Sequence, residues 1–199
     1  IANHGRLQGI GSTIQTLPKE IRSLLFKDDA FDVDMINSVF NIATSLINTY
    51  NFYDNNKLQH LIDYSKNRQD YLINDLTKQT YITAMFYHSP EQYKKSYYQP
   101  KINALFDEIK EFQIQTLKNK HVFNIPKFKG TTGGDISYIL CHEESKRLEL
   151  ILHEFKSIAI APIYDGLIIN KKDVDIESVV CKCNEILKDY SSKVINKPF

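Results

Sequence analysis

Apolar residues along this chain recur with two spacings, one typical of helices and one typical of strands. Spacings of three and four residues mark amphipathic helices, and the stretch from Ile102 to Phe112 is the longest clear example. Pro18 stands at the start of the first helix, Ser38 can cap the second, and Asp175 precedes the last. Helices are predicted over 18–26, 39–50, 58–76 (as two helices, the second containing Tyr71, Leu72 and Leu76), 102–112, 136–155 and 176–190.

Two segments depart from the helical pattern and predict strands. Residues 31–35 form a short strand candidate. Residues 157–163 are an apolar run, Tyr164-Asp165-Gly166 supplies turn residues, and 167–169 is apolar again, which predicts a β-hairpin. The order of strand, helices, hairpin and helix predicts an α+β fold, in which a small antiparallel sheet carries a largely helical insertion.

Composition and charge limit the class of protein more than its function. The 199 residues are 42% hydrophobic and 25% charged, with a net charge of +1, as in an ordinary globular protein with one sizeable core. No apolar run reaches the length of a membrane span, and no secretory leader is visible. Three cysteines, an odd number, favour a reducing cytoplasm over a disulfide framework. Because the chain begins with Ile1, we expect it to be a piece of a longer protein.

Aspartates interrupt both predicted strand segments and are the strongest candidates for chemistry. A carboxylate costs several kcal/mol to bury unless it is paired, hydrogen-bonded or bound to a metal. If the strand and the hairpin join one sheet, Asp34 and Asp165 could together hold two Mg²⁺ or Mn²⁺ ions for phosphoryl or nucleotidyl transfer. The alternative is two turn aspartates that face water. Asp32 lies two residues before Asp34 on the same strand face and is a rival ligand or a neighbouring acid.

The stretch from Pro90 to Gly130 is more basic than the rest of the chain. It contains eight lysines and four acidic residues. Aromatic residues are interleaved with them, namely Tyr93, Tyr97, Tyr98, Phe112, Phe123 and Phe128. Lysines beside stackable rings suit a groove that follows a nucleic-acid backbone. A solvated helix face over core aromatics explains the same pattern equally well.

Four short motifs occur in one order along the chain. The first is Gly5-Arg6-Leu7 followed by Gln15 and Pro18. The others are Asp34-Met35-Ile36-Asn37, then Lys78 with Ile82 and Phe86-Tyr87, and finally Tyr164-Asp165-Gly166. In this order and at these separations they resemble the motifs of family A DNA polymerases. The matching family patterns are Thr-Gly-Arg-Leu with a later Gln and Pro, Asp-Tyr-Ser-Gln, the fingers helix and His-Asp-Glu.

The resemblance implies a template-dependent nucleotidyltransferase, a DNA polymerase or primase, that uses two divalent cations. It implies that Asp34, Asp165 and the main-chain carbonyl of Met35 bind the ions and that Lys78 faces the incoming triphosphate. Residues expected to bind substrate are Arg6, Gln15, Asn37, Arg68 and Tyr164, with Arg68 a second candidate for the role of Lys78. The implied partners are a DNA template and primer, and nucleoside triphosphates.

The chain also departs from the family pattern. Val39 stands where the family has a glutamate that excludes the ribose 2′-hydroxyl, and its loss is compatible with the use of ribonucleotides. Tyr164 and Gly166 replace the histidine and the glutamate of the second catalytic motif. The Asp-Xaa-Xaa-Asn pattern at Asp34, the helix around Glu143 and Glu144, and the late Asp165-Gly166 resemble divergent family A enzymes of mobile elements. These include plasmid, virophage and phage replication proteins and the polymerase-like primases of staphylococcal cassette chromosomes. Some of those enzymes act with a small accessory protein or a helicase.

The resemblance also implies a division of the chain. Residues 1–50 would form the first part of a palm, 51–134 helical fingers, and 135–199 the second part of the palm with a C-terminal helix. Two alternatives stay open: a palm-like nucleic-acid-binding module without catalysis, and a single-subunit phage-type RNA polymerase, which shares the palm.

Overall fold

The computed structural model describes residues 14–73, 75–87, 89–125, 128, 130–163, 165–190 and 192–197, apart from the side chain of Gln15. Helices are α1 (Lys19–Phe26), α2 (Ser38–Thr49), α3 (Gln59–Asn67), α4 (Lys78–Phe86), α5 (Pro100–Lys118), α6 (Thr132–Glu154) and α7 (Ile176–Ile186). Strands are β1 (Ala30–Met35), β2 (Ala159–Ile163), β3 (Gly166–Asn170) and β4 (Val194–Lys197). The predicted α+β class with a small antiparallel sheet is confirmed.

The described chain forms two compact units. One contains the described parts of Ile1–Ser38 and Cys141–Phe199, and the other contains the described parts of Val39–Leu140. The chain therefore passes between the units at the start of α2 and within α6. The predicted divisions were at 50/51 and 134/135. None of the helices in the described part of the chain has the length and apolar character needed to cross a membrane.

The first unit is built around a four-stranded antiparallel sheet in the order β2-β3-β1-β4. Side chains on a strand alternate between faces, so Val33 and Met35 of β1 point to one side and Asp32 and Asp34 to the other. The Val33 side packs with the second half of α6 and with α7. The core on that side is formed by Val33, Met35, Leu148, Ile151, Leu167, Ile169, Val179, Cys183, Leu187 and Val194. The sheet thus places its aspartates away from this core.

The second unit is a helical core rich in aromatic residues. The rings of Tyr53 and Phe112 stack with centroids 5.4 Å apart, and those of Tyr81 and Phe106 stack at 5.3 Å. Buried Gln113 of α5 donates hydrogen bonds to three carbonyls at the end of α4, which would otherwise be orphaned. These contacts tie α4 to α5 within the unit.

One predicted helix is wrong. Residues 71–73, 75 and 76 are not α-helical, because a 3₁₀ turn covers Arg68–Tyr71 and α4 begins only at Lys78. Thr77 sets that start by a capping box with Thr80. Tyr71 and Leu76 are nevertheless buried. Their apolar spacing therefore indicated burial correctly, but not helix.

The C-terminal region also differs from the prediction. Helix α7 ends at Ile186 and a 3₁₀ turn covers Lys188–Tyr190, whereas a single helix to residue 190 was expected. The strand β4 was not predicted at all. It has four residues, of which only Val194 is buried, so it lacks the apolar run that marks β2 and β3.

Gly166 allows β3 to approach β1 closely, and this generates a prediction about stability. A Cβ at Gly166 would clash with the carbonyl oxygen of Val33 and would lie 3.1 Å from the Cα of Asp34. We expect Gly166→Ala to lower the free energy of unfolding by about 3 kcal/mol, the upper end of the usual cost of overpacking. Urea denaturation followed by circular dichroism measures this.

Gly130 provides the matched control, because it is required for a different reason. Its φ is +80°, and no atom lies within 4 Å of the position that a Cβ would take. Gly130→Asn should therefore lower the free energy of unfolding by much less than Gly166→Ala does. Equal unfolding midpoints for wild type and Gly166→Ala would contradict the close-approach argument.

Candidate active site

Asp34 and Asp165 lie side by side because their strands are neighbours in the sheet. β1 pairs with β3 so that Asp34 is opposite Gly166, the residue after Asp165. The backbone N–H of Met35 donates to the carbonyl oxygen of Asp165 at 3.0 Å, which fixes the tip of the hairpin against the end of β1. The two carboxyl groups are close enough to hydrogen-bond to one another. Two acids far apart in sequence are therefore neighbours in the first unit.

A third carboxyl group joins them through Ser38. Ser38 begins α2, and its hydroxyl donates to Glu144 Oε1 at 3.0 Å and to Asp165 Oδ2 at 3.3 Å. Glu144 lies in the middle of α6 and is only 2% exposed. The buried guanidinium of Arg147, further along α6, donates to Glu143. Glu144 in turn adds its negative charge beside Asp165.

The surroundings of Asp165 oppose its ionisation. Burial, and then the negative charges of Asp34 and Glu144, raise the pKa of Asp165 from 3.8 to about 7. Its hydrogen bond with Asp34 acts in the same direction, because it holds a proton between the two groups. Burial and the neighbouring carboxylates therefore disfavour the charged form of Asp165.

Lys197 supplies positive charge to one side of this cluster. Its ammonium lies 2.6 Å from Asp34 Oδ2, and strand pairing places Lys197 directly opposite Asp32. Burial and the charge of Asp34 raise the pKa of Asp32, while Lys197, Arg22 and Lys19 lower it. Asp32 lies on the same face of the sheet as Asp34, but it pairs two residues further along β3 from the hairpin tip.

The remaining predicted residues of this region have different surroundings. The side chain of Met35 packs in the core of the first unit, whereas its predicted role belongs to its backbone carbonyl. Asn37 is buried and has a φ of 47°, a left-handed conformation that asparagine tolerates better than most residues. Arg6 and Tyr164 lie outside the described residues, as does the side chain of Gln15.

Lys78 and Arg68 belong to the second unit. Lys78 is the first residue of α4 and is exposed. Arg68 is half-buried, and its Nε is buried without a hydrogen-bond partner among the described residues. Asp34 and Asp165 are therefore in the first unit, whereas the basic side chains of Lys78 and Arg68 are in the second.

The basic, aromatic stretch is mainly structural. Tyr98, Phe112 and Phe123 are buried in the core of the second unit, and Tyr93 and Phe128 pack against it. Tyr97, in contrast, is 71% exposed. Lys94 pairs with Asp107 at 2.7 Å and Lys120 with Asp135 at 2.9 Å. A stacking platform made of all six rings is excluded. Tyr97 and three exposed lysines, Lys94, Lys95 and Lys118, are the solvent-facing part of the pattern among the described residues.

The donor set fits a hard divalent cation. Carboxylate and carbonyl oxygens are the ligands of Mg²⁺, which is commonly held by one or two carboxylates with substrate phosphates and water. Asp34 and Asp165 are such a pair, and their like charges are held together at the end of the sheet. Within the described ranges, no group of three or more histidine, cysteine, aspartate or glutamate side chains is placed to hold an ion. The fit therefore concerns two aspartates and not a larger cage.

Comparisons of the chain with protein families, curated proteins and solved structures gave no match. The likeness to family A polymerases rests on the sequence motifs alone.

Sequence reasoning assigned no site role to two residues that contact the aspartates. Ser38 was expected only to cap α2, and Lys197 was given no role because its strand was not predicted. The Val194-Ile195 pair was the available signal for β4, and it is a weak one. Glu144 was given no site role, although the helix around it formed part of the resemblance to divergent family A enzymes.

The raised pKa of Asp165 predicts how stability depends on pH in the absence of metal. Between about pH 4 and about pH 7 the unfolded chain releases this proton while the folded chain retains it. The unfolding free energy should therefore fall as the pH rises through this range and then level off. Asp165→Asn should flatten the dependence and be more stable than wild type at pH 8.

Urea unfolding in EDTA at a series of pH values tests this, with Asp28→Asn as the control because Asp28 is an exposed acid of the same unit. Identical slopes for wild type and Asp165→Asn would show that Asp165 is not held protonated.

Proposed function

We propose that this chain is a template-dependent nucleotidyltransferase of the DNA polymerase or primase type. The observation that supports the proposal is the convergence of Asp34 and Asp165 at the ends of β1 and the β2–β3 hairpin. The order of the four motifs gives it a substrate class: nucleoside triphosphates added to a strand on a nucleic-acid template.

The proposed cations are two Mg²⁺ or Mn²⁺ ions, held by Asp34, Asp165 and the main-chain carbonyl of Met35. When bound, such ions lower the pKa of an attacking hydroxyl and neutralise the charge that develops on the phosphates. The chain itself positions both carboxylates. β1 and β3 pair in the sheet, and the hydroxyl of Ser38 at the start of α2 donates a hydrogen bond to Asp165 Oδ2. Glu144 accepts from the same hydroxyl and so restrains its orientation.

Substrate binding is proposed for Arg6, Gln15, Asn37, Arg68 and Tyr164, with Lys78 facing the triphosphate. Exposed Lys78 at the beginning of α4 supports its part of the proposal, because an ammonium at a helix N-terminus adds to the positive end of the helix dipole and suits an anion. A small accessory protein or a helicase is the proposed macromolecular partner besides DNA.

One observation favours a second candidate, a nucleic-acid-binding module without catalysis. The ammonium of Lys197 already contacts Asp34, as it would in a protein that had replaced a bound metal by an internal ion pair. In that case the sheet would be stabilised by Lys197 and no cation would be needed.

Replacement of each aspartate tests the enzyme proposal. Asp34→Asn and Asp165→Asn should each reduce Mg²⁺- or Mn²⁺-dependent nucleotide incorporation by at least about 100-fold, because each removes a negative ligand without changing side-chain volume. Incorporation of labelled nucleotide into a primed single-stranded DNA template measures this. Asp28→Asn should retain wild-type incorporation, and Asp32→Asn should lose less than Asp34→Asn.

Undiminished synthesis by either Asp34→Asn or Asp165→Asn would end the enzyme proposal. The same assay with ribo- and deoxyribonucleotides, with and without a primer, separates primase, DNA polymerase and phage-type RNA polymerase.

A further inference from the structure

Lys197 places a positive charge directly on Asp34. In the antiparallel pairing of β4 with β1, Lys197 is opposite Asp32 and diagonal to Asp34. Long side chains reach diagonal neighbours on the same face of a sheet, and the Lys197 ammonium lies 2.6 Å from Asp34 Oδ2. The charges of Asp32 and Asp165 also act on it. A single ammonium thus interacts with three carboxyl groups of the cluster.

A divalent ion and this ammonium cannot share Asp34 without repulsion. Both would lie within contact distance of the same carboxylate, where like charges repel strongly in a partly buried site. The side chain of Asp34 is only 19% exposed, so water screens the pair incompletely. Binding of a metal at Asp34 therefore requires that the ammonium move away.

The strand gives the side chain freedom to move while the backbone stays in place. β4 is an edge strand and, within the described sheet, pairs only with β1. Its first residue is held by Asn184 of α7, which accepts from the Val194 N–H at 2.8 Å and donates to the Val194 carbonyl at 3.3 Å. Lys197 is at the other end of the strand, and its side chain is 46% exposed. Its four-carbon stem can swing into solvent without loss of the ladder.

We propose that Lys197 is a resident counter-ion of Asp34, which competes with the divalent cation and leaves when the cation binds. This inference rests on the proposed metal site. In the metal-free protein Lys197 offsets the repulsion among Asp32, Asp34 and Asp165 and stabilises the sheet. Because a divalent ion must displace it from Asp34, Lys197 weakens the affinity of the site for that ion.

The proposal predicts effects of opposite sign in the two states. Lys197→Met keeps most of the length of the side chain and removes its charge. The variant should melt at a lower temperature than wild type in EDTA, yet bind Mn²⁺ at least about fivefold more tightly and gain more in melting temperature when Mn²⁺ is added. If Lys197 had a purely structural role, its replacement would lower the melting temperature without raising the affinity for Mn²⁺.

Mn²⁺ binding to the whole chain is measured by electron paramagnetic resonance of the free ion, and melting by circular dichroism with EDTA or Mn²⁺. Lys197→Arg keeps the charge and should bind Mn²⁺ like wild type. Lys193→Met, an exposed lysine just before β4, should also leave the Mn²⁺ dissociation constant unchanged. Asp34→Asn should abolish tight binding. If Lys197→Met does not fold, Lys197→Gln replaces it.

The outcomes separate this inference from the proposed function. Mn²⁺ binding that is lost in Asp34→Asn but not tightened in Lys197→Met would keep the metal site and overturn the role of Lys197. Binding by Lys197→Met and not by wild type would support competition in its strongest form. Absence of binding in wild type and in Lys197→Met alike would overturn both.

Discussion

The close pairing of β1 with β3 concentrates negative charge at one end of a small sheet, and the features of the first unit follow from that constraint. Gly166 leaves room for the backbones to approach, and the register then makes neighbours of Asp34 and Asp165. Because Glu144 is buried beside them, full ionisation of the three carboxyl groups is disfavoured unless a proton, an ammonium or a metal ion offsets their charge. The raised pKa of Asp165, which favours its protonated form, and the contact from Lys197 both reduce the repulsion among these carboxyl groups.

Much of the fold was predictable from the spacing of apolar residues, because a strand or helix that is buried on one face has apolar residues at regular intervals in its sequence. The strand that carries Asp34 and the hairpin that carries Asp165 were both predicted this way, and a small sheet that contains them was expected from the order of the elements. The failures have definite causes. Leu72 and Leu76 have helical spacing, and Tyr71 and Leu76 are buried, but α4 begins only after the Thr77 cap. β4 is too short and too polar to give a periodic signal, so Lys197 could not be placed.

Two positions at which the chain differs from the family A motifs that it resembles are closely packed. Val39, which stands at the position of the family's sugar-selecting glutamate, is part of the apolar core of the second unit. A carboxylate there would be buried among apolar side chains and would need its own partner. Gly166 stands at the position of the second-motif glutamate, and the carbonyl of Val33 leaves no space for any side chain. A glutamate introduced at either position would therefore conflict with its neighbours.

The inserted helical unit has a consequence for how the protein is made. Lys197 and Asp34 are 163 positions apart in the chain, so β1 leaves the ribosome long before β4, its neighbour in the sheet. At roughly 5–20 residues per second, the wait for β4 lasts on the order of 8–33 s. Until β3 has also emerged, neither edge of β1 can be paired, while the intervening helical unit, whose contacts are local, can already fold. The carboxylate cluster can therefore assemble only after the whole intervening helical unit has been synthesised.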